Sequence, residues 1–129
     1  MSCNDSKTLG PIPVWSNKTN NVWLFHPMAA PQSSAGVNFA RPTIEVGQSS
    51  GAVKVRPVVR YSNDLQTWDA PVASDAANMT QTNDGVKYGA FTDIQGGAKN
   101  FLQWGVEVTD SSGTTTELAM VSLRVDTKA

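Results

Sequence analysis

The clearest pattern along the chain is "VKVRPVVRY", residues 53–61. Val53, Val55, Pro57, Val59 and Tyr61 share one face, and Lys54, Arg56, Val58 and Arg60 share the other. A period of two is the mark of a half-buried strand. Pro57 cannot donate to a ladder, which predicts an edge strand or a bulge there. "FLQWGVEVT" (101–109) repeats the pattern, with Leu102, Trp104, Val106 and Val108 on one face. After Asp110-Ser111-Ser112-Gly113, "TTTELAMVSLRVDT" sets Ala119, Val121, Leu123 and Val125 against Ser122, Arg124 and Asp126. Two alternating runs around a short glycine-containing turn predict a C-terminal β-hairpin.

Weaker strands are predicted over 21–27, 37–46 and 86–94, the last following the turn Asn83-Asp84-Gly85. Residues 27–36 read as a loop of Pro, Ala, Ser and Gly. Residues 70–82 show no clean period, with a helical turn expected near 75–78. No segment sustains the three-to-four spacing of a long helix. Residues 1–13 read as an extended N-terminal arm, because Pro11 and Pro13 oppose regular pairing. The fold class expected is all-β: a single antiparallel β-sandwich or jelly roll over 14–129, preceded by that arm.

The stretch "RYSNDLQTW" (60–68) sits where the strand from Val53 must turn. Asn and Asp tolerate left-handed conformations and bond their own backbone. The stretch resembles hairpins of fibronectin-like and discoidin-like modules and the Asp-box turns of sialidase-like propellers. That resemblance implies that Trp68 packs on the hairpin and Asp64 stabilises the turn. Leu65 stands where those hairpins carry glycine.

Composition narrows the function classes. The 129 residues are 40 % hydrophobic and only 16 % charged, with a formal net charge of −1. There is no basic excess for a phosphate backbone, so no nucleic-acid partner is expected. The single cysteine, Cys3, excludes a disulfide framework and a Cys-rich zinc site. No apolar run is long enough for a membrane helix, and Met1 is followed by polar residues, so neither a membrane nor a secretory leader is expected.

Catalytic constellations are sparse. His26 is the only histidine, and no Gly-x-Ser-x-Gly elbow accompanies it; a strand-end histidine is the plainer reading. Glu45, Glu107 and Glu117 fall on separate segments, and Glu107 reads as a solvated strand residue. No metal-loop pattern occurs, so no catalytic residue, metal or cofactor is assigned. Trp15, Trp23, Trp68 and Trp104 offer ring faces for sugars, with Trp15 expected to be exposed and Trp104 buried. Asn17-Lys18-Thr19 and Asn78-Met79-Thr80 match glycosylation acceptors. Cys3 followed by polar residues also matches the start of a mature surface lipoprotein.

As a whole the chain resembles the small head decoration, or cement, proteins of tailed bacteriophages: one low-charge all-β domain without disulfides, with an extended arm. The resemblance implies a non-enzymatic virion protein. Its partners would be the major capsid protein and copies of itself, and it would stabilise the shell through lattice contacts. The arm residues Leu9, Pro11, Ile12, Pro13, Val14 and Trp15 are the expected partner contact, with Val22 to Phe25 a second seam. The alternatives are a carbohydrate-binding β-sandwich module and a surface lipoprotein domain.

Overall fold

The computed structural model describes residues 5–15, 22–24, 31–49, 53–73, 81–82, 84–94, 99–110 and 118–129. Its strands are β1 (Asp5–Trp15), β2 (Val22–Leu24), β3 (Gln32–Ser33), β4 (Phe39–Gly47), β5 (Val53–Ser62), β6 (Val72–Ala73), β7 (Gln81–Thr82), β8 (Gly85–Tyr88), β9 (Thr92–Asp93), β10 (Phe101–Asp110) and β11 (Leu118–Lys128). All pairings are antiparallel. One sheet runs β1-β11-β4-β8, with β9 also on β4; the other runs β2-β10-β5-β6, with β3 on β10 and β7 on β5. If β2–β3, β6–β7 and β8–β9 are each taken as one interrupted strand, the two sheets read 1-8-3-6 and 2-7-4-5. That connectivity is an eight-stranded jelly roll. The all-β sandwich expected from the alternation is therefore present, and the topology resolves which kind it is.

The alternating residues meet between the sheets. Val53, Val55 and Val59 of β5, and Leu102, Trp104, Val106 and Val108 of β10, pack against Ile44 and Val46 of β4 and Ala119, Val121, Leu123 and Val125 of β11. Each valine, leucine or isoleucine among them contributes about 1.5–3 kcal/mol when fully buried. The indole N–H of Trp104 is enclosed there without a hydrogen-bond partner. That omission costs about 1–3 kcal/mol, which the burial of so large a ring offsets.

Three sequence expectations are corrected. The C-terminal hairpin does not form: β10 pairs with β5, β2 and β3, while β11 pairs with β1 and β4. The two strands lie in opposite sheets and share the core through their apolar faces. Pro57 is not on an edge strand. It pairs in register with Val106, and on its other side it falls between β7, which meets residues 54–55, and β6, which meets residues 58–59. Pro42 repeats the device in the other sheet, between β9 at residues 39–40 and β8 at residues 43–46. The strand expected over 86–94 is accordingly broken into β8 and β9. The helical turn expected near 75–78 lies outside the described residues, and no helix occurs among those described.

The third correction concerns residues 1–13. From Asp5 onward they are not an unpaired arm: Asp5–Leu9 and Ile12–Trp15 pair with β11. The register slips between Leu9 and Ile12, so the bulge at Gly10-Pro11 absorbs the change of phase. Leu9, Ile12 and Val14 are buried in the core, while Pro11, Pro13 and Trp15 face outward. Proline is tolerated because β1 is an edge strand. Gly10 has φ +98°, and a Cβ there would collide with the Val121 carbonyl oxygen.

The 60–68 stretch forms a self-contained turn. The Ser62 hydroxyl accepts from the amides of Asp64 and Leu65 at 3.2 and 3.0 Å and donates to the Thr67 carbonyl at 2.6 Å. The Asp64 carboxylate accepts from the amides of Thr67 and Gln66 at 2.8 and 2.9 Å. These bonds, Thr67 first, hold the Asp64 carboxyl below its usual range. Trp68 is half-buried, with the Arg60 guanidinium 4.5 Å from its ring centre; it packs on the hairpin, as the resemblance implied. Leu65 sits at φ +65° with nearly half its surface exposed.

Two stability outcomes follow from the backbone. Gly10→Ala should destabilise the fold by at least about 2 kcal/mol, since both φ and the Val121 carbonyl oppose a side chain; urea unfolding measures it. Leu65→Gly relieves a left-handed residue at a cost of roughly 1–2 kcal/mol. The greater freedom of glycine in the unfolded chain takes back roughly 0.5–1 kcal/mol. The variant should melt at the same temperature as the parent or a few degrees higher, and a lower melting point refutes this account of the turn.

Candidate interaction face

The sheet β1-β11-β4-β8 presents an outer face whose rows are set by register. Trp15 lies beside Leu118, Pro13 beside Met120 and Met120 beside Gly47. Farther along, Glu45 lies beside Val86 and Thr43 beside Tyr88. Of the seven exposed large hydrophobic residues among those described, five are on this face: Trp15, Phe39, Val86, Tyr88 and Leu118. Trp15 is 46 % and Leu118 57 % exposed. Nothing lies within 4 Å of where a side chain on Gly47 would stand, so the strip Trp15–Leu118–Pro13–Met120 ends in open space. Contiguous exposed apolar surface of this kind marks contact sites, and the unbranched thioether of methionine adapts its shape to a partner.

The other end of the same face is polar and tightly bonded. Asp126 is 8 % exposed. Its carboxylate accepts from the Ser6 hydroxyl at 2.8 Å, from Arg41 Nη2 and Nε at 2.9 and 3.2 Å, and from Arg124 Nε at 3.0 Å. One side chain thereby ties β1, β4 and β11 together. Burial alone would raise its pKa; the bonds from Ser6, Arg41 and Arg124, with the charge of Arg124, outweigh that and hold it low. Around it, Arg41 lies 4.7 Å and the Lys128 ammonium 4.4 Å from the centre of the Phe91 ring. Lys128 also lies 5.8 Å from the Phe39 ring. These cation–aromatic contacts hold two rings down at the sheet surface.

The residues expected to contact a partner divide along the strand. Leu9, Ile12 and Val14 are committed to the core, which corrects their assignment as contacts, whereas Pro11, Pro13 and Trp15 stand on the outer face. Trp15 thus joins an apolar strip that sequence reading missed, because Leu118 and Met120 come beside it and Pro13 only through strand pairing. Val22–Leu24 form β2 on β10; Phe25, His26, Cys3, Asn17, Asn78 and Glu117 lie outside the described residues. Glu107 is not a solvated strand residue: it is buried and accepts from Arg56 Nε at 2.6 Å. Glu45 and Glu107 lie on opposite outer surfaces of the sandwich, so they cannot flank one substrate. The tryptophans form no common sugar platform among the described residues, since Trp104 is in the core and Trp68 packs beside Arg60. No cluster of three potential metal ligands occurs among those residues, and no helix there is long and apolar enough to cross a membrane.

At the opposite edge of the same sheet, Asp84 on the short connector before β8 binds the amide and hydroxyl of Ser49 at 2.9 and 2.6 Å, and the Ser49 hydroxyl is the first of the causes that lower its carboxyl pKa. The folded forms of Asp64, Asp84 and Asp126 therefore all prefer the ionised state. Their contribution is present above the unfolded carboxylate pKa of about 4 and lost as pH falls through the lower folded values. Chain stability should drop on acidification below about pH 4. Asp126→Asn should cost about 1–2 kcal/mol at neutral pH and flatten that acid limb; denaturant midpoints measured across pH check both.

No family model and no curated protein matches the sequence. Solved structures do match the fold. The crystal structure of the infectious bursal disease virus VP2 subviral particle aligns with TM-score 0.59 at 12 % identity, over 95 % of this chain and 32 % of that one. The structure of infectious bursal disease virus Gx strain aligns with TM-score 0.54 at 13 % identity, over 96 % and 32 %. That of the Gt strain gives 0.52 at 13 %, over 95 % and 32 %. This chain spans about a third of the chains it matches, and at such identities what is shared is the jelly-roll fold.

Proposed function

We propose that this chain is a non-enzymatic structural protein of a virus particle. It acts as a decoration or cement protein that binds the major capsid protein, alongside copies of itself, and braces the shell. The observation that carries the reading is the concentration of exposed apolar side chains on one outer sheet face. The fold it shares with structures of virus particles supports the same reading.

The physics of the face suits a lattice partner. Trp15 and Leu118 are large apolar side chains on paired strands, so the backbone that carries them is already ordered before docking. Pro11 and Pro13 supply no backbone donors, so β1 is a poor template for an added strand. Contact through the face, with Pro11, Pro13 and Trp15 at its rim, therefore fits better than contact through the edge. Many copies on a lattice gain by multivalency, so each contact can be modest.

The test is a density gradient of a lysate from the source, probed for this chain. Sedimentation with particles that contain a major shell protein supports the reading. A position at the top of the gradient, or flotation with membranes, removes it in favour of the sugar-binding or lipoprotein alternatives. The double variant Trp15→Ser with Leu118→Ser should bind particles at least about tenfold more weakly, as truncated anchors do. Its unfolding free energy should stay within about 1 kcal/mol of the parent, since both side chains are exposed.

A further inference from the structure

The opposite outer face, on β5 and β10, carries a feature that the shell reading does not use. A concavity of about 220 Å³ is lined by Lys54, Val55, Arg56, Glu107 and Thr109. Register places Lys54 across from Thr109 and Arg56 across from Glu107. The buried Glu107 carboxylate holds Arg56 by its Nε at 2.6 Å, which fixes one edge of the guanidinium. The two terminal nitrogens of Arg56 and the Lys54 ammonium have no partner among the described residues.

We propose that this concavity is an oxyanion-binding site formed by Lys54, Arg56 and Thr109. Ammonium, guanidinium and hydroxyl donors converge there, the set that charge-assisted binding of a phosphate, sulfate or carboxylate uses. Local charge agrees. Among the described residues, the outward-facing side chains of β5 and β10 bring three cations, Lys54, Arg56 and Arg60, and one carboxylate, Glu107, on a chain whose net charge is −1. Arg60 is engaged by Gln103 Oε1 at 2.6 and 2.9 Å and by the Trp68 ring. Arg56 is paired with Glu107 through Nε alone among the described residues, so Lys54 brings the unpaired cation to the concavity and Arg56 adds the two terminal nitrogens that this pairing leaves open. The volume exceeds the roughly 30 Å³ of a water, so a polyatomic anion has room. Glu107 acts as a positioning residue, since it holds the guanidinium that would touch the anion.

The experiment follows backbone amide shifts of the isotope-labelled full chain. Inorganic phosphate and, separately, acetate are titrated at constant ionic strength maintained with chloride. Saturable shifts at residues 54–56 and 107–109 are expected with at least one of them. Lys54→Ala should weaken that binding by about tenfold, the loss of one charge-assisted hydrogen bond. Arg56→Ala would leave Glu107 buried and unpaired, so Arg56→Lys, which keeps the charge and loses the planar fork, is the second variant and should also weaken binding. Binding of phosphate alone assigns a tetrahedral anion; equal binding of acetate assigns a carboxylate, such as a protein side chain. If neither saturates, if chloride reproduces the shifts, or if both variants bind as the parent does, the site is refuted. The readout is independent of particle binding, so either proposal can fail without the other.

Discussion

Antiparallel pairing to two central strands holds the rest of the molecule in place. β11 takes β1 on one side and β4 on the other, and β10 takes β5 on one side and the short β2 and β3 on the other. Both central strands bury an unbroken alternate row of apolar residues. Neither can leave its sheet without exposing that row. The outer strands add one face each to a core that these two define. Even the candidate contact face is their product, because Leu118 and Met120 are β11 residues that gather Trp15 and Pro13 from β1.

Proline shapes the periphery in a matching way in both sheets. Pro42 and Pro57 sit in strands with a continuous neighbour on one side and a divided one on the other. A residue without an N–H can bond fully on one side only, so the neighbouring strand lapses at that point. The result is four two-residue or four-residue strands at the far edges instead of two long ones. Short, interrupted edges are also poor templates for unwanted strand pairing. The surfaces proposed above for binding lie accordingly on the broad outer faces, an apolar strip on the β11 side and a cationic concavity on the β5 side.

The strand faces were largely legible in the sequence, and the strand partners were not. Alternation from Val53, Leu102 and Ala119 states which side chains turn inward, and the core contains them. It carries no information on which strand lies alongside, so two runs separated by a short polar segment read as a hairpin when they face each other across the sandwich. β1 was hidden by its own bulge: Leu9 and Ile12 are three residues apart, and with two prolines in the interval and after it the period of two disappears. The burial of Glu107 depended on its cross-strand partner Arg56, 51 residues away, which no local pattern marks. Of the candidate contact face, the exposed Pro11, Pro13 and Trp15 were named from the sequence, whereas Leu118 and Met120 were not, because strand pairing assembles them beside β1.

The bond from Ser6 to Asp126 joins residues 120 positions apart, and its meaning extends to how the chain is made. β1 and β4 have no direct pairing and meet only through β11. While the ribosome is still adding the segment before Leu118, the inward faces of β1 and β4 have no strand between them, and a sheet that is to hold four strands in a row lacks its second. Folding of this half is thus deferred until β11 emerges, whatever the second sheet has achieved by then. A chain stopped short of residue 118 would present Leu9, Ile12, Val14, Ile44 and Val46 to quality-control proteases as uncovered apolar surface. The topology therefore makes synthesis through β11 a condition of this sheet.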